Sequence, residues 1–389
     1  MANNHLDNIA IVGSGLAGLV LAISLAEKGI TSTIYEKEAE ENLGGMGIQI
    51  TPNGSEILAR LGLEVKLREI SSPGENISVF DGLTSKRLYS MDLNQFAKGD
   101  ELGYITCHRG SLIKILCERA KKLGVMFYFN QKIFLEEFST EKVNFRSEDG
   151  KEYSSSLLLG ADGYGSAIGQ KLNPDGEKHK SDFIALRGLV PTERIDTGEI
   201  KSGVNLFMYP GQHLVTYLID KGKQLNFVAI RPVVGMASND SDLTELLSGF
   251  STHPYLDKLL TTASEIRTNY LSKGFVQPIW FSGRVCLCGD ALHPMPPFLA
   301  QGGNMAIEDG WILASALSEQ SNTTEAFNLF KAKRFNRLNR IVNLSNSQAW
   351  INHLQGGLIS QLRNTTLVLV NKSLPGLIAN RYTWIYRGM

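Results

Sequence analysis

Three glycines near the N-terminus constrain this chain more than any other feature. Gly13-Ser14-Gly15-Leu16-Ala17-Gly18 follows the β-rich run Ile9-Ala10-Ile11-Val12. Behind it Leu16, Leu19, Val20, Ile23 and Leu25 recur at helical spacing, and Lys28-Gly29 closes the helix. A second β-branched run over 31–35 ends at Glu36, eighteen residues after the last glycine. Strand, tight turn, helix, strand and acid in that order form the dinucleotide-binding βαβ unit. Each glycine has its own task. Gly13 permits the tight turn, Gly15 lets backbone approach a pyrophosphate, and Gly18 lets helix and strand pack closely. The helix start offers free N–H groups and the positive end of its dipole to phosphates. Glu36 is placed to accept hydrogen bonds from the adenosine ribose. Ser14, Leu16, Ala17 and Lys37 complete the candidate set at this end of the cofactor.

The fingerprint alone does not separate FAD from NAD, but the rest of the chain does. Gly160-Ala161-Asp162-Gly163 and Cys288-Gly289-Asp290-Ala291-Leu292-His293-Pro294 each put an aspartate directly after a buried strand. Strand ends are where α/β sheets hold ligands. A carboxylate there can bind polyol hydroxyls, and FAD has a ribityl chain that NAD lacks.

The fingerprint, the DG block at Asp162-Gly163 and the GD block at Gly289-Asp290 occur in that order. So do Gly45-x-Gly47-Ile48, Pro52-Asn53, His108-Arg109, Trp280-x-x-Gly283-Arg284-Val285 and Gln301-Gly302-Gly303-Asn304. With these marks the chain resembles the class A flavoprotein monooxygenases, in particular the salicylate and 3-hydroxybenzoate hydroxylase branch of the p-hydroxybenzoate hydroxylase fold. The resemblance covers essentially the whole length. It implies an α/β fold: a Rossmann-like FAD-binding domain, an inserted antiparallel β-sheet substrate domain and C-terminal helices.

The same resemblance implies roles. Arg109 reaches the FAD pyrophosphate, Gln49 and Gly47 lie near the cofactor, Ile133 near the adenine, and Asp290 on the ribityl chain, with Asp162 in the same set. Ala300, Gly302, Gly303 and Asn304 open a helix whose N-terminus points at the flavin, where backbone N–H groups stabilise the charge of the reduced ring. The implied chemistry is FAD reduction by NAD(P)H, reaction with O2 to a C4a-hydroperoxide, and hydroxylation of a small aromatic substrate. One departure stands out. The family's DG motif continues to a serine and then an arginine three residues on; here Ser166 is followed by Gly169, with Lys171 nearby as a candidate substitute.

The inserted segment carries strand-like runs over 183–190, 203–209, 213–219 and 224–230. His213 and Tyr217 are four apart and share a strand face. A ring activated through its hydroxyl is the better nucleophile, so a histidine base suits the chemistry. The expected catalytic contacts are His213, Tyr217 and Gln301; a hydrogen-bonded strand histidine with no role is the alternative for His213. His293, beside Asp290, is expected to shape its loop.

Composition excludes other classes. Lys+Arg and Asp+Glu both number 39, so no basic excess marks a nucleic-acid binder. The four cysteines are too few for a disulfide scaffold in 389 residues, and no metal-ligand spacing or GxSxG occurs. No stretch reaches about 18 apolar residues, so no membrane span is expected, and a cytoplasmic location is. Residues 367–378 form a candidate packing or homodimer surface, and Arg334, Arg337 and Arg340 a solvated basic face. Residues 243–269 read as helical. The expected organisation is a discontinuous FAD-binding domain (1–75, 100–180 and 275–320), a substrate domain (76–99 and 181–274) and a helical region (321–389). Hydroxylation or epoxidation of another substrate, such as an N-heteroaromatic, and flavin binding without turnover are the rival readings.

Overall fold

A computed structural model describes residues 8–97, 101–139, 141–176, 183–195, 202–233, 254–271, 273–374 and 376–387. At its centre Ile9–Val12 pairs in parallel with Ser32–Tyr35 on one side and Leu157–Gly160 on the other. Met126–Tyr128 and Val285–Leu287 extend the sheet in parallel, and Phe281–Ser282 closes it antiparallel. The three central strands are buried along their length, as in a parallel sheet covered on both faces.

Helix Leu16–Glu27 is buried over its first ten residues because it lies between this sheet and a second helix, Gly302–Glu319. The helices meet at a glycine. A Cβ on Gly310 would stand 2.8 Å from the Ala17 carbonyl oxygen. Gly18 is tighter still, its virtual Cβ 2.0 Å from the Gly13 carbonyl oxygen. Gly13 takes φ 103° and leaves no room for a side chain against Ala161. These contacts fix the fingerprint helix against both neighbours.

The second layer is a seven-stranded sheet ordered Glu265–Leu271, Phe183–Pro191, Gln224–Pro232, Gln212–Ile219, Val204–Tyr209, Asn76–Asp81, Arg87–Asp92. Two expectations change here. The sheet is mixed rather than antiparallel, because Val204–Tyr209 and Asn76–Asp81 pair in parallel. The helical reading of 243–269 survives only as Pro254–Thr262; Glu265–Leu271 is an edge strand, and 243–253 lie outside the described residues. Tertiary pairing with Phe183–Pro191 decides that segment, which by itself carries no strand alternation.

Strand alternation gives the sheet two unlike faces. One face packs Phe80, Leu186, Phe207, Leu214 and Phe227 with Leu256 and Leu259 of helix Pro254–Thr262. The opposite face lines a cavity that also reaches the fingerprint turn. Helices Thr323–Asn352, Leu358–Ser373 and Gly376–Tyr386 close the chain, the last two covering the far side of that cavity. All four cysteines are buried and unpaired. Among the described residues no helix is long and apolar enough to cross a membrane.

Candidate active site

One cavity of about 580 Å³ joins the fingerprint turn to the seven-stranded sheet. At one end Gly15, Leu16 and Ala17 line it, and no protein atom lies within 4 Å of where a Gly15 side chain would start. No side chain caps the helix that begins at Leu16. Its first N–H groups are therefore left for a ligand, as a pyrophosphate requires.

Glu36 is buried behind this turn. Its Oε2 accepts from the Ser14 backbone N–H and hydroxyl, both at 2.7 Å, and its Oε1 from the Glu38 N–H at 2.9 Å. The carboxylate thus braces the turn and keeps lone-pair capacity on Oε1 for a ribose hydroxyl. Lys37 is exposed, and Ile133 is a core residue at the start of strand Ile133–Phe138; neither lines the cavity.

Arg109 opens helix Arg109–Lys122 and lies in the cavity wall. His108 caps that helix by accepting from the Gly110 N–H at 3.2 Å, and the Arg109 guanidinium is the charged group this helix start offers to the cavity. Its Nη1 donates to the Gly44 carbonyl at 2.5 Å, and its stem fills the space a side chain at Gly45 would need. Asp290 opens into the same cavity. Depth within the protein pushes its carboxyl upward, while His293 and Arg109 pull it back.

Asp162 behaves differently from its twin. Its Oδ1 accepts from the Ser166 hydroxyl at 2.5 Å and its Oδ2 from the Ile168 N–H at 3.3 Å. The carboxylate braces the start of helix Ala167–Leu172, and only its neighbours Ala161 and Gly163 line the cavity. Gly169 sits inside that helix. A Cβ there would stand 3.0 Å from Ser166 Oγ and 3.1 Å from the Ala291 carbonyl oxygen, so any side chain at this position requires those neighbours to give way by a few tenths of an ångström. Lys171 points to solvent.

At the centre of the cavity the Gly302–Glu319 helix begins. Gly302 and Gly303 line the wall, no side chain caps the helix, and Ala300 precedes it with a left-handed φ of 53°. That conformation costs a non-glycine residue about 1–2 kcal/mol. Asn304 offsets it by donating to the Ala300 carbonyl at 2.7 Å, while its Oδ1 accepts from the Thr51 N–H at 3.0 Å. Asn304 therefore positions the uncapped amides and does not itself face the cavity. Gly47 and Gln49 line the cavity next to this helix start, Asn304 Nδ2 donating to the Gln49 carbonyl at 3.2 Å; Asn226 Oδ1 accepts from the Gly47 N–H at 2.8 Å.

Gln301 is a correction. It is buried, donates to Thr51 Oγ1 at 3.1 Å and accepts from Asn53 at 3.3 Å. Its amide faces away from the cavity, into a buried polar chain. Asn53 continues that chain to Glu308, which Arg334 and Arg337 bind; Arg334 also donates to Asp309 Oδ1 at 2.7 Å. Asp309 Oδ2 accepts from the Gly289 N–H at 2.9 Å and from His293 Nε2 at 2.5 Å. The basic face expected at Arg334 and Arg337 is therefore mostly a buried clamp, and only Arg340 is exposed, stacked on Trp384. Burial pushes the Asp309 carboxyl up, but His293 and Arg334 outweigh it and hold it below the usual range. Nothing in the spacing of 308, 309 and 334 announces this network. His293 shapes the Asp290 loop through it.

The sheet supplies the last wall. His213, Val215 and Tyr217 point into the cavity from one strand. The Tyr217 phenol lies beside Gln49 and Asn226, and burial pushes it up from its ordinary value. Arg187, two strands away, lines the same wall with its Nε unpartnered. His213 Nδ1 lies 3.0 Å from Nε2 of His353, whose Nδ1 is 2.6 Å from the Ala349 carbonyl oxygen. That carbonyl requires a proton on His353 Nδ1. A neutral His353 then accepts at Nε2, so His213 carries its proton on Nδ1 and presents a bare Nε2. Burial and His353 hold His213 well below the usual histidine value, so it is neutral at physiological pH. His353, at the end of helix Thr323–Asn352, carries no local sequence signal.

Comparison with known proteins bears on this geometry. Residues 7–344 match the family model described as "FAD binding domain". The chain belongs to this FAD-binding family. It is similar to 3-hydroxybenzoate 6-hydroxylase 1 of Aquipseudomonas alcaligenes, at 29% identity over 98% of this chain and 97% of that protein. It is also similar to 6-hydroxynicotinate 3-monooxygenase of Pseudomonas fluorescens, at 31% identity over 88% of this chain and 91% of the other. Among solved structures, Klebsiella pneumoniae HpxO with FAD and uric acid aligns with TM-score 0.83 and 20% identity over 97% of this chain and 96% of that one. A salicylate hydroxylase substrate complex aligns with TM-score 0.79 and 19% identity over 99% and 96%. These structural likenesses establish the fold, the α/β fold of the flavoprotein hydroxylases. The chain is an FAD-dependent monooxygenase.

Proposed function

We propose that this monooxygenase hydroxylates an aromatic ring that already bears a hydroxyl group, with NADH or NADPH as reductant and O2 as oxidant. Phenolic acids and hydroxylated N-heteroaromatics both fit, and relatives named for each kind align with the chain. One observation carries the reading. The uncapped amides at Gly302 and Gly303 and the neutral His213 line one cavity that continues to the fingerprint turn.

The residues present fit FAD. Gly15 and the helix behind it would hold the pyrophosphate with Arg109, Glu36 the adenosine ribose, Asp290 the ribityl chain, and Gly302 and Gly303 the anionic edge of the flavin. When bound, FAD accepts hydride from the nicotinamide and delivers one oxygen atom of O2, the other leaving as water. The chain's own contribution is orientation and charge. His213 Nε2 accepts the hydrogen bond of the substrate hydroxyl, which raises electron density on the ring. Tyr217 fixes the ring's register, and Arg187 adds positive charge at the anionic substrate or flavin edge. The apolar remainder of the cavity excludes water. Residues 1–75, 100–180 and 275–320 form the cofactor unit in this reading, and 76–99 with 181–274 the substrate unit. Four free buried thiols accord with a reducing cytoplasm.

The test is stopped-flow reduction of the FAD-loaded protein by NADH and by NADPH, with and without 3-hydroxybenzoate and 6-hydroxynicotinate. Products formed under ¹⁸O₂ are then read by mass spectrometry. Faster reduction with an aromatic present and one ¹⁸O in the product are expected. Reduction indifferent to every aromatic, with only hydrogen peroxide formed, would overturn the reading.

A further inference from the structure

The cavity's sheet wall is a grid of cross-strand partners. One row runs Tyr217, Val204, Ile77, Met91, and the next Val215, Leu206, Val79, Tyr89. All eight line the same cavity. Polar groups for a ring hydroxyl, His213 and Tyr217, stand on one strand only. The three strands beyond it present aliphatic and thioether side chains and the Tyr89 phenol. Strands lie about 4.8 Å apart, so this apolar wall is about 14 Å wide. Leu367 and Ile378 line the cavity from the C-terminal helices together with Arg363, Tyr382 and the exposed Arg381.

A single hydroxylated ring seated at His213 and Tyr217 leaves most of that width bare. A cavity lined mostly by apolar side chains with a few convergent polar groups is the usual form of a ligand site, and here the polar groups for a ring lie at one edge of the apolar wall. Fine alternation along each strand supports this. The inward positions are Ile77 and Val79, Tyr89 and Met91, Val204, Leu206 and Met208, while the residues between them face the other side of the sheet or the opposite core.

We propose that the substrate is a hydroxylated aromatic carrying an extended apolar substituent, an alkyl chain or a second ring system, that lies along Val204–Ile77–Met91 and Leu206–Val79. This rests on the reading above that the ring hydroxyl sits at His213 and Tyr217. It narrows the substrate class from small phenolic acids to amphipathic aromatics whose tail points from the flavin toward the C-terminal helices.

The probe is a series of 4-n-alkylphenols, methyl to octyl, added to the FAD-loaded full-length protein. Dissociation constants come from the perturbation of the flavin spectrum, and products from mass spectrometry. Each buried methylene is expected to lower Kd about fourfold, through at least the pentyl compound. Val79→Trp, in the middle of the wall, is expected to flatten that dependence; Leu206→Phe, a smaller change, to flatten it partly. A Kd that stays level or rises from ethyl onward in the unaltered protein overturns the proposal. A steep series that persists in a folded Val79→Trp overturns the placement of the tail. Steep binding with no hydroxylated product would sink the hydroxylase reading and leave the apolar subsite standing. Hydroxylated methylphenol with a level series would do the reverse.

Discussion

Arg334→Met tests whether the buried clamp, and not the cleft alone, holds the cofactor loop. The Arg334 side chain is fully buried and forms ion pairs with Glu308 and with Asp309, plus a bond to the Met305 carbonyl. Methionine keeps the bulk and removes the charge. Glu308 retains Arg337 and Asn53, but Asp309 keeps only His293 and the Gly289 N–H. Breaking one side of a buried ion pair costs about 3–5 kcal/mol. Unfolding entropy of about 2.1 cal/mol/K per residue, over the 389 residues, converts this to a Tm lowered by about 4–6 °C for cooperative unfolding. Lys333→Met is the control. Its amine is half-exposed and 3.9 Å from Glu319, a pair worth about 0–1 kcal/mol, so its Tm should move by about 1 °C at most. Calorimetry of both variants, with and without FAD, reads the effect, and FAD titration reads the consequence at Asp290. Because Asp309 sets Gly289 and His293, FAD affinity should fall in Arg334→Met and not in Lys333→Met. Equal Tm and equal FAD affinity in the two variants would refute the clamp.

Two further outcomes follow from the geometry. Gly15→Ala should fold with an unchanged Tm in the apo form and lose FAD affinity, because its side chain meets only the cavity, whereas Gly18→Ala should unfold the domain because its Cβ would overlap the Gly13 carbonyl; the reverse order in FAD-free thermal unfolding would contradict these assignments. For pH, the folded values of His213 and His353 are both depressed, His353 to about 4. The unfolded chain then takes up protons near pH 6.5 that the folded pair refuses, so the pair's stabilising contribution is complete above that pH and shrinks as pH falls toward about 4. Replacing both with asparagine should reduce the loss of Tm between pH 7 and pH 5, and an identical slope would argue against a neutral buried pair.

Local spacing alone specifies the N-terminal βαβ unit of this protein. Glycine is the only residue that fits where Gly13 and Gly18 stand, so the turn, the helix and the Glu36 strand are written in local spacing. The placement of Asp290 directly after a buried strand and of a helix start after Gln301 was legible for the same reason: both are local features of the chain. The shared face of His213 and Tyr217 was readable because strand periodicity is local. Tertiary structure decided the rest. Asp162 and Gln301 carry the right chemistry at the right place in the chain, yet Ser166 and Ile168 claim one, and Thr51 and Asn53 the other. The Arg334 clamp, the His353 partner of His213 and the apolar wall from Val204 to Met91 join residues far apart in sequence. A side chain's donors and acceptors are satisfied by whichever groups the fold brings within about 3 Å, and the order of residues along the chain does not specify those neighbours.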